Sequence, residues 1–204
     1  MITTIIFDWG GVLAPADNEP TARILSTKYN LDFSYLKEKI GYFESQNSTS
    51  EDYSRFIEDM EREFKIPGPE VMQCFLDNPA GEGFQFAKSL NGKFKLCILS
   101  NQMHFKTQYI KETYDLSFFD SVLFSSEVGF KKPSSNMFNL LLERIGEVPK
   151  NCLFIDDGID NVNAAKDLGF KAIQCTSVNN LKDQVNEEIR IAEDFLNNDK
   201  INTQ

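Results

Sequence analysis

Positive charge is scarce in this chain. Its 204 residues carry 21 Lys and Arg against 31 Asp and Glu, a formal net charge of -10. A nucleic-acid partner needs clustered cations against the phosphate backbone, so this balance argues against one. It leaves a small phosphorylated ligand open, because such a group answers to the local field of a site and not to total charge. Long apolar runs are missing too. No stretch approaches the roughly 18 residues that mark a membrane span, and no membrane partner is expected. The N-terminus is apolar, but it lacks a basic leader and holds Asp8 in its middle, which marks a strand and not a secretion signal. Cysteine is sparse: Cys74, Cys97, Cys152 and Cys175 show no metal-type pairing, and three of them fall in strand-like runs. They read as reduced core residues, and the expected compartment is the cytoplasm. Internal repeats and low-complexity segments are absent.

What is present is an alternation of short apolar runs with helical periods. Ile5-Ile6-Phe7 ends at Asp8, and Trp9-Gly10-Gly11-Val12-Leu13 follows. Similar runs recur at residues 94–99, 121–124, 152–155 and 171–175. Between them the spacing predicts helices. One runs from Phe84 to Leu90 and stops at Asn91-Gly92, and a polar one reaches about Thr113. Ser134 caps a third, carrying Met137, Phe138, Leu141, Leu142 and Ile145 and stopped by Gly146; a fourth spans 161–168. From Asn179 a last helix sets Leu181, Val185, Ile189, Ala192 and Leu196 on one side, and the polar tail after Asn197 should fray. Strands alternating with helices mean βαβ units, hence an α/β fold with a doubly wound parallel sheet.

The stretch after the first strand is different. Asn18-Glu19-Pro20 reads as a helix start. Ala22, Leu25 and Tyr29 form one stripe, and Leu36, Ile40 and Phe43 another. Tyr53, Phe56, Ile57, Met60 and Phe64 form a third, with Ser48 and Glu51 as a capping box ahead of it. Val71, Met72, Phe75 and Leu76 follow the Pro67-Gly68-Pro69 break. The expected division is an α/β core of residues 1–14 and 81–204, with a small all-helical cap of residues 15–80 over the C-terminal edge of the sheet. The aromatic stripes read as core. Phe118 and Phe119 could pair two chains but fit a core better, so the chain is expected to be a monomer or a homodimer.

Parallel strands share one C-terminal edge, and in open α/β sheets ligands bind there. Asp8 ends the first strand, Ser100-Asn101 the second and Asp156-Asp157 the fourth, while Lys132 lies in the loop after the third. Each alone could be a turn residue or a helix cap; at one edge they make a site. Gly10 and Gly11 let backbone approach a ligand closely. Three close carboxylates call for a cation, and hard oxygen ligands suit Mg²⁺. With a lysine and a hydroxyl beside it, the fitting guest is a phosphoryl group, whose spread charge needs such donors.

These residues resemble the four motifs of the haloacid dehalogenase (HAD) superfamily of phosphohydrolases. Asp8-Trp9-Gly10-Gly11-Val12 is similar to its Asp-x-Asp-x-Thr/Val signature, and Ser100-Asn101 to its second motif. Lys132-Pro133 stands in a Ser-x-Glu-x-Gly-x-x-Lys-Pro context from Ser125, and Asp156-Asp157 with Asn161 reads Phe-Ile-Asp-Asp-x-x-x-Asn. The likeness covers nearly the whole chain, with the helical insert in the place of the family's cap on a Rossmann-like core. It implies a Mg²⁺-dependent phosphatase acting on a small phosphorylated metabolite, a sugar phosphate being the best guess, through an aspartyl-phosphate. Asp8 would be the nucleophile. Ser100 would bond a phosphoryl oxygen, helped by Asn101 and the backbone at Gly10 and Gly11. Lys132 would neutralise Asp8 and the transferring group. Asp8, Asp156, Asp157 and the Gly10 carbonyl would serve the metal, and Asn161 would orient the last motif. Lys131 is expected to face solvent.

One position departs from the family pattern. Family phosphatases usually carry a second Asp two residues after the nucleophile, as acid and then base; here that residue is Gly10. The loss favours good leaving groups, such as an anomeric, acyl or aryl phosphate, or a substitute acid, for which Asp17, Glu19 and His104 are nearest in sequence. Two other readings stand beside this one. The chain could be a non-catalytic protein that keeps the phosphate site, or a 2-haloacid dehalogenase, against which the doubled Asp156-Asp157 counts.

Overall fold

The computed structural model describes residues 1–16, 18–77 and 79–201, apart from the side chains of Val178 and residues 192–201. Five strands, β1 (Thr4–Phe7), β2 (Lys95–Ser100), β3 (Ser121–Phe124), β4 (Cys152–Asp156) and β5 (Lys171–Gln174), form one sheet in the order β3-β2-β1-β4-β5. Every pairing is parallel. β1 and β4 are buried along their whole length, which is why they read as unbroken apolar runs.

Four helices follow β1: α1 (Asn18–Tyr29), α2 (Phe33–Asn47), α3 (Ser54–Phe64) and α4 (Gly68–Leu76). The rest alternate with the strands: α5 (Glu82–Ser89), α6 (His104–Thr113), α7 (Ser125–Val128), α8 (Ser135–Ile145), α9 (Ile159–Asp167) and α10 (Val178–Ile201). Side-chain alternation along the strands divides the core. Ile5, Phe7, Leu96, Ile98, Leu153 and Ile155 pack with Phe84 and Ala87 of α5 and Leu181 and Val185 of α10. Ile6, Cys97, Leu99, Cys152 and Phe154 pack with Met137, Phe138 and Leu141 of α8 and Val162 and Ala165 of α9. The sheet is therefore covered on both faces, a doubly wound Rossmann-like fold. Phe119 is buried in the first of these clusters and packs near Phe84. All four cysteines are buried and free. Among the described residues no helix is long and apolar enough to cross a membrane.

Helices α1 to α4 enclose a cluster of their own, built on Leu25, Leu36, Ile40, Phe56, Met60 and Phe75. Met103 and Phe105, from the start of α6, enter that cluster. Phe105 packs edge-on to Phe75 at 5.9 Å between ring centroids. Lys106 is 1% exposed and donates its ammonium to the Phe75 carbonyl near the C-terminus of α4, where a cation meets the negative end of the helix dipole. At the return to the sheet, a Cβ on Gly83 would lie 1.9 Å from the Val12 carbonyl oxygen. Only glycine lets α5 sit on the loop that leaves β1.

One local expectation fails. Ser48 and Glu51 form no capping box: Ser48 follows the last turn of α2, and α3 starts after Tyr53, with Asp52 accepting from the Ser54 N–H at 2.9 Å. Ser48 is instead drawn into the core, where its carbonyl accepts from the Ser125 hydroxyl. At the other end, helical backbone continues past Asn197 to Ile201, since no Gly or Pro interrupts it. The expected apolar positions Ala192 and Leu196 lie outside the described side chains.

Candidate active site

Sheet register sets the site. Phe7 pairs with Ile98 on β2 and with Ile155 on β4. One residue on, the Asp8 N–H donates to the Ile155 carbonyl at 2.9 Å, which brings Asp8 level with Asp156. The Trp9 N–H donates to Asp8 Oδ1 at 2.7 Å and reaches Ser100 Oγ at 3.4 Å. The next turn closes on the Trp9 carbonyl, which accepts from the Leu13 and Ala14 N–H groups at 2.9 Å each. That turn needs Gly11, which has φ +72°. The carboxylate of Asp157 lies directly over it: a Cβ on Gly11 would sit 2.4 Å from Asp157 Oδ2.

Lys132 joins from the loop after α7. Its side chain has no exposure, and its Nζ lies 3.0 Å from Asp8 Oδ1 and 2.5 Å from Asp156 Oδ2. Asn101 clamps the lysine backbone from both sides: its Nδ2 donates to the Lys132 carbonyl at 2.9 Å, and its Oδ1 accepts the Lys132 N–H at 2.8 Å. The other oxygen of Asp156 accepts from the Gly158 N–H at 2.8 Å and from Asn161 Nδ2 at 2.9 Å. Asp156 is thus committed on both oxygens, while Asp157 opens to the cavity.

The electrostatics follow from this packing. Burial pushes the Asp8 carboxyl up to about 7; Lys132 opposes the rise, and Asp156 and Asp157 add to it. Asp157 opens to solvent, yet the protein packed around it and the charge of Asp156 hold its carboxyl above the usual range. Burial works against the Lys132 ammonium, but Asp8 and Asp156 outweigh it and its pKa is raised. One oxygen from each of Asp8, Asp156 and Asp157 lies within 4.8 Å of the others. Three carboxylates and one ammonium leave an excess of two negative charges, and an all-oxygen donor set fits a hard divalent cation. Asp8 and Asp157 have oxygens to give it; those of Asp156 are already taken.

Asp8, Gly10 and Asp157 line a cavity of about 150 Å³ with Ala16, Asn18, Glu44, Asn101 and Gln102. Asn18, Glu44 and Asn101 also line an adjoining cavity of about 410 Å³ that runs outward beside Lys132 and Pro133. A further cavity, of about 560 Å³, opens around Thr3 and Gly92, next to the N-terminal ends of β1 and β2 and away from these groups. Ala16, Asn18, Glu44 and Gln102 are the residues lining the smaller cavity that sequence reasoning missed. Gln102 carried a signal, as a polar residue directly after Ser100-Asn101; α1 and α2 give no comparable mark to Asn18 or Glu44. Lys131 does not simply face solvent, since its Nζ donates to the Ser45 carbonyl on α2 at 2.5 Å. Of the candidate substitute acids, Asp17 lies outside the described residues. Glu19 pairs with Lys37 at 2.8 Å and Arg23 at 3.1 Å, contacts that lower its carboxyl pKa. His104 starts α6, with a buried Nδ1 that has no partner among the described residues.

Known proteins place this architecture. A family model described as haloacid dehalogenase-like hydrolase matches residues 2–169. The chain is 25% identical over 182 residues to drimenol cyclase drtB of Aspergillus calidoustus, covering 85% of this chain but only 34% of that protein. It therefore spans about a third of that relative. It is 22% identical over 191 residues to the D-ribitol-5-phosphate phosphatase of Bacteroides thetaiotaomicron, covering 85% of this chain and 92% of that one. Among solved structures, a predicted HAD-like family hydrolase from Porphyromonas gingivalis superposes with a TM-score of 0.76 at 27% identity, over 93% of this chain and 98% of that one. A HAD family enzyme from Bacteroides thetaiotaomicron in complex with magnesium and inorganic phosphate shares the fold, with a TM-score of 0.68 at 19% identity over 85% and 94% of the two chains. With the family model spanning most of its length, the chain belongs to the haloacid dehalogenase-like hydrolases.

Proposed function

We propose that this hydrolase is a Mg²⁺-dependent phosphatase acting on a small phosphorylated metabolite, a sugar or polyol phosphate, through an aspartyl-phosphate on Asp8. The observation that carries the reading is the sharing of the buried Lys132 ammonium between Asp8 and Asp156, beside Asp157 on the cavity wall. The D-ribitol-5-phosphate phosphatase and the magnesium and phosphate complex among its relatives support it.

In this reading Asp8 attacks phosphorus: the bond to the substrate oxygen breaks as a bond to the carboxylate forms. Lys132 steadies the charge that passes between Asp8 and the phosphoryl group. Ser100 Oγ, at the end of β2, would donate to a phosphoryl oxygen, with the backbone of Gly10 and Gly11 alongside. Asp8, Asp157 and the Gly10 carbonyl would hold Mg²⁺, with Asp156 holding Lys132 and the loop beside them; the metal would supply charge stabilisation to the phosphoryl oxygens. The same reading takes residues 1–14 and 81–204 as the catalytic core and 15–80 as the cap whose Asn18 and Glu44 meet the substrate. It places the chain in the cytoplasm, which the four buried free cysteines support. It assigns no nucleic-acid or membrane partner, and a monomer or homodimer.

A phosphate-release screen over many metabolites, with and without Mg²⁺, tests this against an Asp8→Asn control. Release that needs Mg²⁺ and vanishes in the variant is expected. Release that survives in Asp8→Asn, or no release from any phosphate, refutes it. Chloride release from a haloacid that persists with a chelator would favour a dehalogenase.

A further inference from the structure

The missing acid leaves space that another residue faces. A Cβ on Gly10 would have Gln102 Nε2 as its nearest neighbour, at 3.9 Å, and Ala16 Cα next at 4.0 Å. Gln102 is 3% exposed, yet its Oε1 has no hydrogen-bond partner among the described residues. Buried side-chain amides seldom go unsatisfied, so an orphaned one on a cavity wall points to a ligand. Its main chain is fixed: the Gln102 N–H donates to Ser125 Oγ at 3.0 Å, and its carbonyl accepts from the same hydroxyl at 3.4 Å. The side chain is thereby presented to the cavity it shares with Asp8, Gly10 and Asp157. The neighbouring amide of Asn101 is engaged with the Lys132 backbone and does not compete for the task.

We propose that Gln102 takes the place of the absent acid and base at Gly10, working by hydrogen bonding and not by proton transfer, and rests there on the phosphatase reading above. In the first half-reaction the bond from phosphorus to the leaving oxygen breaks as the bond to Asp8 forms. The leaving oxygen departs as an oxyanion, takes a hydrogen bond from Gln102 Nε2 and collects its proton from bulk water. In the second, a water oxygen bonds phosphorus as Asp8 leaves as a carboxylate. Gln102 Oε1 accepts a hydrogen bond from that water and orients it, and the displaced proton passes to the phosphate and on to solvent. Side-chain amides orient attacking water in other phosphoryl-transfer sites. A carboxamide cannot give up a proton, so the substrates it serves best are those whose leaving oxygen is a weak base.

The test is the leaving-group dependence of kcat/KM over aryl phosphates of increasing phenol basicity, with Mg²⁺, in the wild type, Asp8→Asn, Gln102→Met and Glu44→Gln. Gln102→Met, nearly isosteric, is expected to lose about tenfold on 4-nitrophenyl phosphate and about a hundredfold on phenyl phosphate, so that the dependence steepens. Should that variant not fold, Gln102→Asn, which keeps the amide one methylene short, is expected to steepen it likewise. A uniform loss with unchanged slope, or steepening in Glu44→Gln instead, overturns the role of Gln102 while phosphatase activity stands. A wild type inactive on every phosphate, or an active Asp8→Asn, overturns the phosphatase reading and this role with it.

Discussion

Gly10 and Gly11 are neighbours with opposite tolerance for a methyl group, and replacing each by alanine separates two demands on the loop. At Gly10 the added Cβ meets nothing closer than 3.9 Å, an ordinary contact. At Gly11 it meets Asp157 Oδ2 at 2.4 Å, on a backbone with φ +72°. The backbone strain costs about 1–2 kcal/mol. For a chain of this size that lowers Tm by roughly 2–8 °C without metal. The larger effect is on the carboxylate. To reach ordinary contact at 3.4 Å, Asp157 must retreat by about 1 Å. Metal sites hold their ligand distances to within about 0.2 Å, so that retreat takes Asp157 out of a shared coordination shell. Gly11→Ala is therefore expected to raise the half-saturating Mg²⁺ concentration by at least about tenfold. Gly10→Ala should leave it unchanged. Calorimetric Mg²⁺ titration of the three proteins reads this directly. Equal Mg²⁺ affinity in Gly11→Ala and wild type would show that Asp157 is no ligand, or that it moves freely, and either result defeats the reasoning.

Other consequences follow from the same geometry. Metal binding needs the Asp8 carboxylate ionised, and burial lifts its pKa to about 7. Mg²⁺ affinity should thus rise about tenfold per pH unit up to 7 and level off above it, and a flat profile from pH 5.5 to 8.5 would contradict this. Because Asp8 holds its proton more tightly folded than at its reference value of 3.8, the metal-free protein loses stability as pH climbs from about 4 through 7. Asp8→Asn removes that loss, so its Tm advantage without metal should grow with pH and be largest above 7. Gly10→Asp restores the family's acid in open space, and phosphate release from alkyl phosphates should rise by about 10² while aryl substrates gain less. Equal change on both classes would sink the leaving-group argument. Gly83→Ala drives a methyl into the Val12 carbonyl, so it should cost roughly 3 kcal/mol in denaturant unfolding with no change in Mg²⁺ affinity for whatever protein stays folded.

Much of the core was legible because its chemistry stands where apolar runs stop. β1 and β4 are buried on both faces, so their sequences end abruptly at Asp8 and at Asp156, and parallel pairing carries both ends to one edge. The helical stripes of α1 to α4 were legible for the same reason, since each buries one face in a shared cluster. What the chain did not show depends on contacts without a period. Ser48 and Glu51 have the spacing of a capping box, but α2 runs on to Asn47, so Ser48 closes that helix with its hydroxyl turned back to the Ser45 carbonyl. Glu44 sits on α2 one residue after the buried Phe43, and only the way α2 leans over the sheet turns it toward the nucleophile. Gln102 was visible as a polar residue in the right loop; its orphaned oxygen and its closeness to Gly10 exist only in the folded chain.

Asn101 shows why residue type and task have to be argued separately. Its place after Ser100 marks it for phosphate, and it does line the cavity. Its two side-chain hydrogen bonds, however, go to the backbone of Lys132. That loop hangs from β3, at the edge of the sheet, two strands from the nucleophile. Without a clamp a lysine there would be a mobile charge on a flexible stem. Asn101 fixes its main chain to the end of β2, and Asp8 and Asp156 fix its ammonium. The charge is then set before any ligand arrives, and no reorganisation is needed as charge shifts between Asp8 and a phosphoryl group. By this argument Asn101 acts through Lys132, and its removal should disturb the nucleophile's surroundings more than the hold on phosphate itself.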